Sequence, residues 1–136
     1  MGTRSTIGVV DEDGFVQGIY CHWDGYPEYN GKILRDHYTT PAKIMKLIKL
    51  GDLSSLGPKI GRKHDFRSGD GEQCTAYKRD RGEKGTEAQT YKDIFEFLAD
   101  DRGQEFTYVY VNGKWECRDV YKQQVIDLYA MVDEPA

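Results

Sequence analysis

Glu105-Phe106-Thr107-Tyr108-Val109-Tyr110-Val111-Asn112-Gly113-Lys114-Trp115-Glu116-Cys117-Arg118 is the most legible stretch of the chain. Asn112-Gly113 is the preferred two-residue type I′ turn, because both positions must take a positive φ. That turn fixes a register in which Val111 faces Lys114, Tyr110 faces Trp115 and Tyr108 faces Cys117. Side chains alternate along a strand. Phe106, Tyr108, Tyr110, Trp115 and Cys117 therefore share one face, predicted to be core. Val109, Val111, Glu116 and Arg118 share the other, half in solvent.

The same alternation marks a second hairpin, with strands at residues 4–10 and 15–23. Asp11-Glu12-Asp13-Gly14 is the turn between them. Phe15, Ile19, Cys21 and Trp23 fall on one face of its second strand, interrupted by Gln17. Gly25, Pro27 and Gly31 then break the strand pattern. A short helix is predicted over 32–38. A second starts at Thr40-Pro41, an N-cap followed by a residue suited to the first helical position. Its buried stripe is Ile44, Leu47 and Ile48, and Gly51 ends it. Residues 57–89 read as a long loop-rich excursion with one strand near Cys74–Tyr77. Thr90 caps a helix carrying Tyr91, Ile94, Phe97 and Leu98, and a last helix is expected at about 119–131. The order ββααβαββα has no repeated βαβ unit. It predicts a single α+β domain, an antiparallel sheet of about five strands with helices packed on one face.

Composition bounds the function. The chain has 136 residues, 23 acidic against 19 basic, with a formal net charge of −4. That balance argues against broad binding to a nucleic-acid backbone, which needs a basic face. No apolar run is long enough for a membrane span, and the first residues lack the apolar core of a secretory signal. Cys21, Cys74 and Cys117 are odd in number and form no C-x-x-C, which fits a reducing cytoplasm.

Chemistry-bearing residues gather in three places. Cys21–Lys32 places His22, Trp23, Asp24, Tyr26, Tyr29 and Lys32 at the end of a strand and the start of a helix. Rings offer flat area for stacking on a base, and the helix start and Lys32 suit an anion. Arg4 opens the first strand, as an ion-pair partner for Asp24 or a ligand contact. Lys59, Arg62, Lys63, His64 and Arg67 form one basic cluster, and Lys78, Arg79, Arg81 and Lys84 another. Such charge runs are ordinarily solvated faces; drawn together, they would close over phosphates. Metal ligation fits poorly, since adjacent Cys21 and His22 point to opposite faces of a strand. No G-x-S-x-G, P-loop or H-E-x-x-H occurs, nor a G-x-G-x-x-G after a strand.

Two stretches, Met1-Gly2-Thr3-Arg4-Ser5-Thr6-Ile7 and Tyr20-Cys21-His22-Trp23-Asp24-Gly25-Tyr26-Pro27-Glu28, resemble a family of small proteins common in tailed phages and found also in bacteria and fungi. Its members begin Gly-Thr-Arg and carry a Trp/Tyr/Phe-Asp-Gly-Tyr-Pro-Glu-like segment further along. Its phage branch is also similar at Leu50–Gly57 and Arg79–Glu83, and its members often have Gly where this chain has Tyr29. The resemblance implies a phage accessory protein acting in the host cytoplasm, of a kind that blunts host defences.

Three functions compete on this reading. The first is a binding protein that sequesters a small anionic, nucleotide-like ligand between Arg4, the Trp23–Lys32 loop and the basic 59–84 stretch, with no cofactor and no metal. The second is an inhibitor that covers a host protein. The third is a hydrolase of a nucleotide-like substrate using His22, Asp24, Glu28 and His64 as acid–base groups. A homo-oligomer is left open.

Overall fold

The Asn112-Gly113 hairpin forms in the computed structural model with the register read above: Val111 pairs with Lys114, Tyr110 with Trp115 and Tyr108 with Cys117. The structure describes residues 2–131. In chain order it holds β1 (Ser5–Val10), β2 (Val16–Cys21), α1 (Lys32–His37), α2 (Pro41–Lys49), β3 (Leu53–Ser55) and β4 (Thr75–Ala76). There follow α3 (Tyr77–Arg81), β5 (Gln89–Tyr91), α4 (Ile94–Ala99), β6 (Phe106–Val111), β7 (Lys114–Asp119) and β8 (Gln124–Ile126). The domain is α+β, with all eight strands in one sheet ordered β4-β3-β2-β1-β6-β7-β8 and β5 beside β2.

The expected five-stranded antiparallel sheet is corrected. The sheet is mixed: β6 runs parallel to β1, and β3 is parallel to β2. The physical reason is the length of the connections. Residues 22–52 carry two helices across the sheet before β3 returns in the direction of β2, as a parallel crossover requires. Ser5 of β1 meets Phe106 of β6, so the two hairpins join through their first strands.

Helices cover both faces, which corrects the one-face expectation. On one face Ile7, Val9, Ile19, Cys21, Tyr108, Trp115 and Cys117 pack with Leu34 and Tyr38 of the α1 region and with Ile44, Leu47 and Ile48 of α2. On the other, Phe97 of α4 joins Val16, Tyr91 and Val109. Gly8 and Gly18 are the reason it fits there. A Cβ on Gly18 would lie 2.6 Å from the Phe97 ring and one on Gly8 would lie 2.9 Å from it. Two strands without side chains at those positions leave a trough, and an aromatic ring fills it.

Three local expectations also change. Gln89–Tyr91 is a strand, and α4 is capped by Asp93, whose carboxylate accepts from the Glu96 N–H at 2.9 Å, not by Thr90. The expected helix at 119–131 is instead β8 and a 3₁₀ turn at Leu128–Ala130. Its β-branched pair Val125-Ile126 lies in a strand, with Val125 exposed and Leu128 buried. Phe15 and Trp23, expected in the core row, are each 44% exposed, because both lie beyond the paired part of β2.

α2 begins as read. Thr40 Oγ1 accepts from the Lys43 N–H at 3.3 Å, and Pro41 follows it. Thr40→Ala should lower stability by about 1 kcal/mol, visible as a lower midpoint in urea unfolding with an unchanged slope. Among the described residues no helix is long and apolar enough to cross a membrane.

Candidate functional site

One end of the sheet gathers the lead-in to β1, the exit of β2 and the entry to β6. Ser5 pairs with Cys21 antiparallel and with Phe106 parallel. Residues just before Ser5 must then lie between those just after Cys21 and those just before Phe106. The backbone confirms the juncture: the Glu105 N–H donates to the Arg4 carbonyl at 2.9 Å. The Val120 N–H donates to the Glu105 carbonyl at 2.9 Å, which draws in the exit of β7. The result is an open cavity of about 640 Å³, lined by Gly2, Thr3, Arg4, His22, Trp23, Gly103, Glu105 and Tyr121. That volume lies within the range of small-molecule sites.

Each wall is held by identifiable contacts. The N–H groups of His22 and Trp23 donate to the Leu53 and Ser54 carbonyls, both at 3.0 Å, so the exit of β2 is pinned to β3. The His22 ring meets Trp23 edge-on, with centroids 4.8 Å apart. Gly2 passes beneath that indole, where a Cβ would come within 2.8 Å of the ring. Gly103 has a φ of +76°, and a Cβ there would sit 3.2 Å from Arg4 Nη1. The Arg4 side chain thus runs over bare backbone. Arg4 makes no side-chain hydrogen bond or ion pair among the described residues, and neither does the Glu105 carboxylate. The two opposite charges line one cavity without neutralising each other.

Behind His22 is a buried polar group that sequence reasoning missed. Tyr20 Oη lies 2.9 Å from His22 Nδ1. The buried Asp52 accepts from the Tyr20 N–H and from Arg102 Nη2, both at 2.9 Å. The Arg102 guanidinium lies 5.4 Å from the centre of the Tyr20 ring. The Tyr20 hydroxyl thus engages Nδ1 and fixes the His22 ring in place.

The remaining predicted residues lie elsewhere. Asp24 takes a φ of +58°, and its carbonyl accepts from the Asn30 N–H. The Gly25 N–H donates to the Thr3 carbonyl at 2.7 Å, while the Gly25 carbonyl accepts from the Tyr108 hydroxyl at 2.6 Å. These bonds fold the Asp24–Gly31 corner down over the sheet. Its rings Tyr26 and Tyr29 tilt against one another with centroids 6.2 Å apart and do not line the cavity. Glu28 is exposed on the wide helical turn Pro27–Gly31, and Lys32 opens α1.

The basic excursion forms its own structure around one carboxylate. Asp80 accepts from the His64 N–H at 3.1 Å, from the Ala76 N–H at 2.8 Å and from Arg79 Nε at 3.0 Å. Arg79 also donates to the Ile60 and Cys74 carbonyls. His64 Nε2 lies 3.0 Å from Thr75 Oγ1. Arg81 lies over the rings of Phe66 and Tyr77 and pairs with Glu83 at 2.8 Å. Arg62 is exposed, its N–H donating to the Gln73 side chain. The expectation of one recess shared by Arg4, the ring-rich corner and the 59–84 stretch is therefore corrected. Arg4, His22 and Trp23 share the cavity, and Arg62, His64, Arg79 and Arg81 are not in its lining. Arg79 and His64 spend their polar atoms on neighbouring loops.

Burial pushes the Cys21 and Cys117 thiols up to about 12. They stay protonated at neutral pH, which disfavours nucleophilic attack by either. Among the described residues no group of three or more His, Cys, Asp or Glu side chains is placed to hold a metal ion. Glu105 and Tyr121 are the acidic and aromatic lining residues that local reading did not single out. Neither sits in a motif, and only the parallel pairing of β1 with β6 brings them to Arg4. Comparisons with protein-family models, with curated proteins and with solved structures find no match for the chain.

Proposed function

We propose that the protein binds a small anionic, nucleotide-like ligand in the cavity of Arg4, His22 and Trp23, and sequesters it without transforming it. The observation that carries this reading is the pairing, in one open cavity, of an unpartnered guanidinium with a half-exposed indole. The first suits a phosphate, by charge-assisted hydrogen bonds. The second suits the face of a base, where stacking is worth about 1–3 kcal/mol. His22 adds a polar ring to the same lining. Among the described residues His22 makes no contact with a carboxylate, and its ring meets the Tyr20 hydroxyl instead. In a phage setting, to which the N-terminal resemblance points, such a protein would act as a sponge for a nucleotide signal of the host.

Calorimetry with mononucleotides, dinucleotides and cyclic nucleotides tests this. At least one is expected to bind and to be recovered intact. Arg4→Ala and Trp23→Ala should each weaken it by roughly 10- to 100-fold while the protein still melts cooperatively. Absence of binding across the panel, or variants that bind like the native protein, would retire the reading.

A further inference from the structure

We infer that Glu105 makes this cavity selective for a guanine-type base; the inference rests on the nucleotide-binding reading above. Glu105 is half-buried, and its backbone, not its carboxylate, makes the bonds to Arg4 and Val120. The carboxylate makes no hydrogen bond or ion pair among the described residues, and Glu105 lines the same cavity as Arg4, His22, Trp23 and Tyr121. It forms no ion pair with Arg4 although the two residues adjoin through their backbones. A ligand that satisfies both must carry negative charge at one end and hydrogen-bond donors at the other.

Among the common bases the match is specific. An ionised carboxylate only accepts. Guanine presents N1–H and the 2-amino group side by side, two donors for two carboxylate oxygens. Adenine presents an amino group beside the bare N1 acceptor, which sets a lone pair against the carboxylate. Rejection by that opposed pair adds to the attraction for guanine, as selective sites commonly arrange. A purine also offers the larger face to Trp23, which is 44% exposed, and to Tyr121, which is 75% exposed. The phosphate then falls to Arg4, whose side chain is aligned along the Gly103 backbone. Hypoxanthine keeps N1–H and lacks the 2-amino group, so it separates the two contributions.

The test is calorimetry of the full chain with GMP, IMP, AMP and UMP, on the native protein and on Glu105→Gln. GMP should bind roughly ten- to a hundredfold more tightly than AMP, with IMP between them. Glu105→Gln should shrink that gap to less than threefold. If GMP and AMP bind the native protein equally well, this inference falls and the nucleotide-binding reading stands. It falls likewise if Glu105→Gln keeps the preference. If none of the four binds and no other nucleotide does, both fall together. Should the variant fail to fold, the ranking of GMP, IMP and AMP on the native protein still decides.

Discussion

Phe97→Ala is expected to remove about 3–5 kcal/mol from the unfolding free energy, enough to lower the melting temperature by roughly 10–20 °C. Phe97 is 2% exposed and is the main plug on its side of the sheet, meeting Tyr91 edge-on at 5.3 Å between centroids. Its ring lies in the trough left by Gly8 and Gly18. Truncation opens a void over two adjacent strands, which cannot close without bending the sheet. The reverse change tests the same fit. Gly18→Ala places a methyl 2.6 Å from the ring and should cost about 1–3 kcal/mol by overpacking. Adding Phe97→Leu to Gly18→Ala should then recover part of that loss. Urea unfolding of the native protein, Gly18→Ala, Phe97→Leu and the double variant measures the coupling. Strictly additive effects would show that ring and glycine do not share one packing constraint.

Asp80→Ala is the second large effect, with an expected loss of about 3–5 kcal/mol. The Asp80 side chain is fully buried, and its removal leaves the largely buried Arg79 guanidinium without its carboxylate and two N–H groups without an acceptor. The damage should concentrate in residues 57–89, so limited proteolysis there should accelerate more than global unfolding does. A variant whose excursion resists protease like the native chain would overturn the assignment of Asp80 as its organising group. Burial alone pushes the Asp80 carboxyl up, but the Arg79 guanidinium and the N–H groups of Ala76 and His64 outweigh it and hold it below the ordinary Asp range. A carboxyl depressed in the fold stabilises above the unfolded value of about 4 and loses that contribution as pH falls through its folded value. Acid unfolding should therefore be shallower for Asp80→Asn than for the native protein.

The two hairpins and α2 were legible because their signals are local. Asn112-Gly113 dictates a turn, the turn dictates a register, and Thr40-Pro41 dictates a helix start. The parallel junction of β1 with β6 has no such signal, since nothing near Ser5 names Phe106 as its neighbour. The same gap hid half of the candidate site. Arg4, His22 and Trp23 are chemically conspicuous, whereas Glu105 and Tyr121 matter only through that junction. The 119–131 segment failed for another reason. Val125, Ile126, Leu128 and Tyr129 satisfy a helical spacing, yet Val125 and Ile126 are β-branched and pair with β7. The basic excursion misled because charge runs are usually solvated, and here Asp80 turns one guanidinium inward.

The seam between Ser5 and Phe106 also sets a timetable for biosynthesis. Gly2 to Trp23 leave the ribosome well before Glu105 and Tyr121, so a nascent chain owns one wall of the cavity long before it owns the other. The cavity has both walls only once Tyr121 has emerged. A polypeptide cut between the two hairpins would hold its aromatic wall with no acidic wall to oppose it, and mixing the two pieces would restore the cavity only by rebuilding the seam.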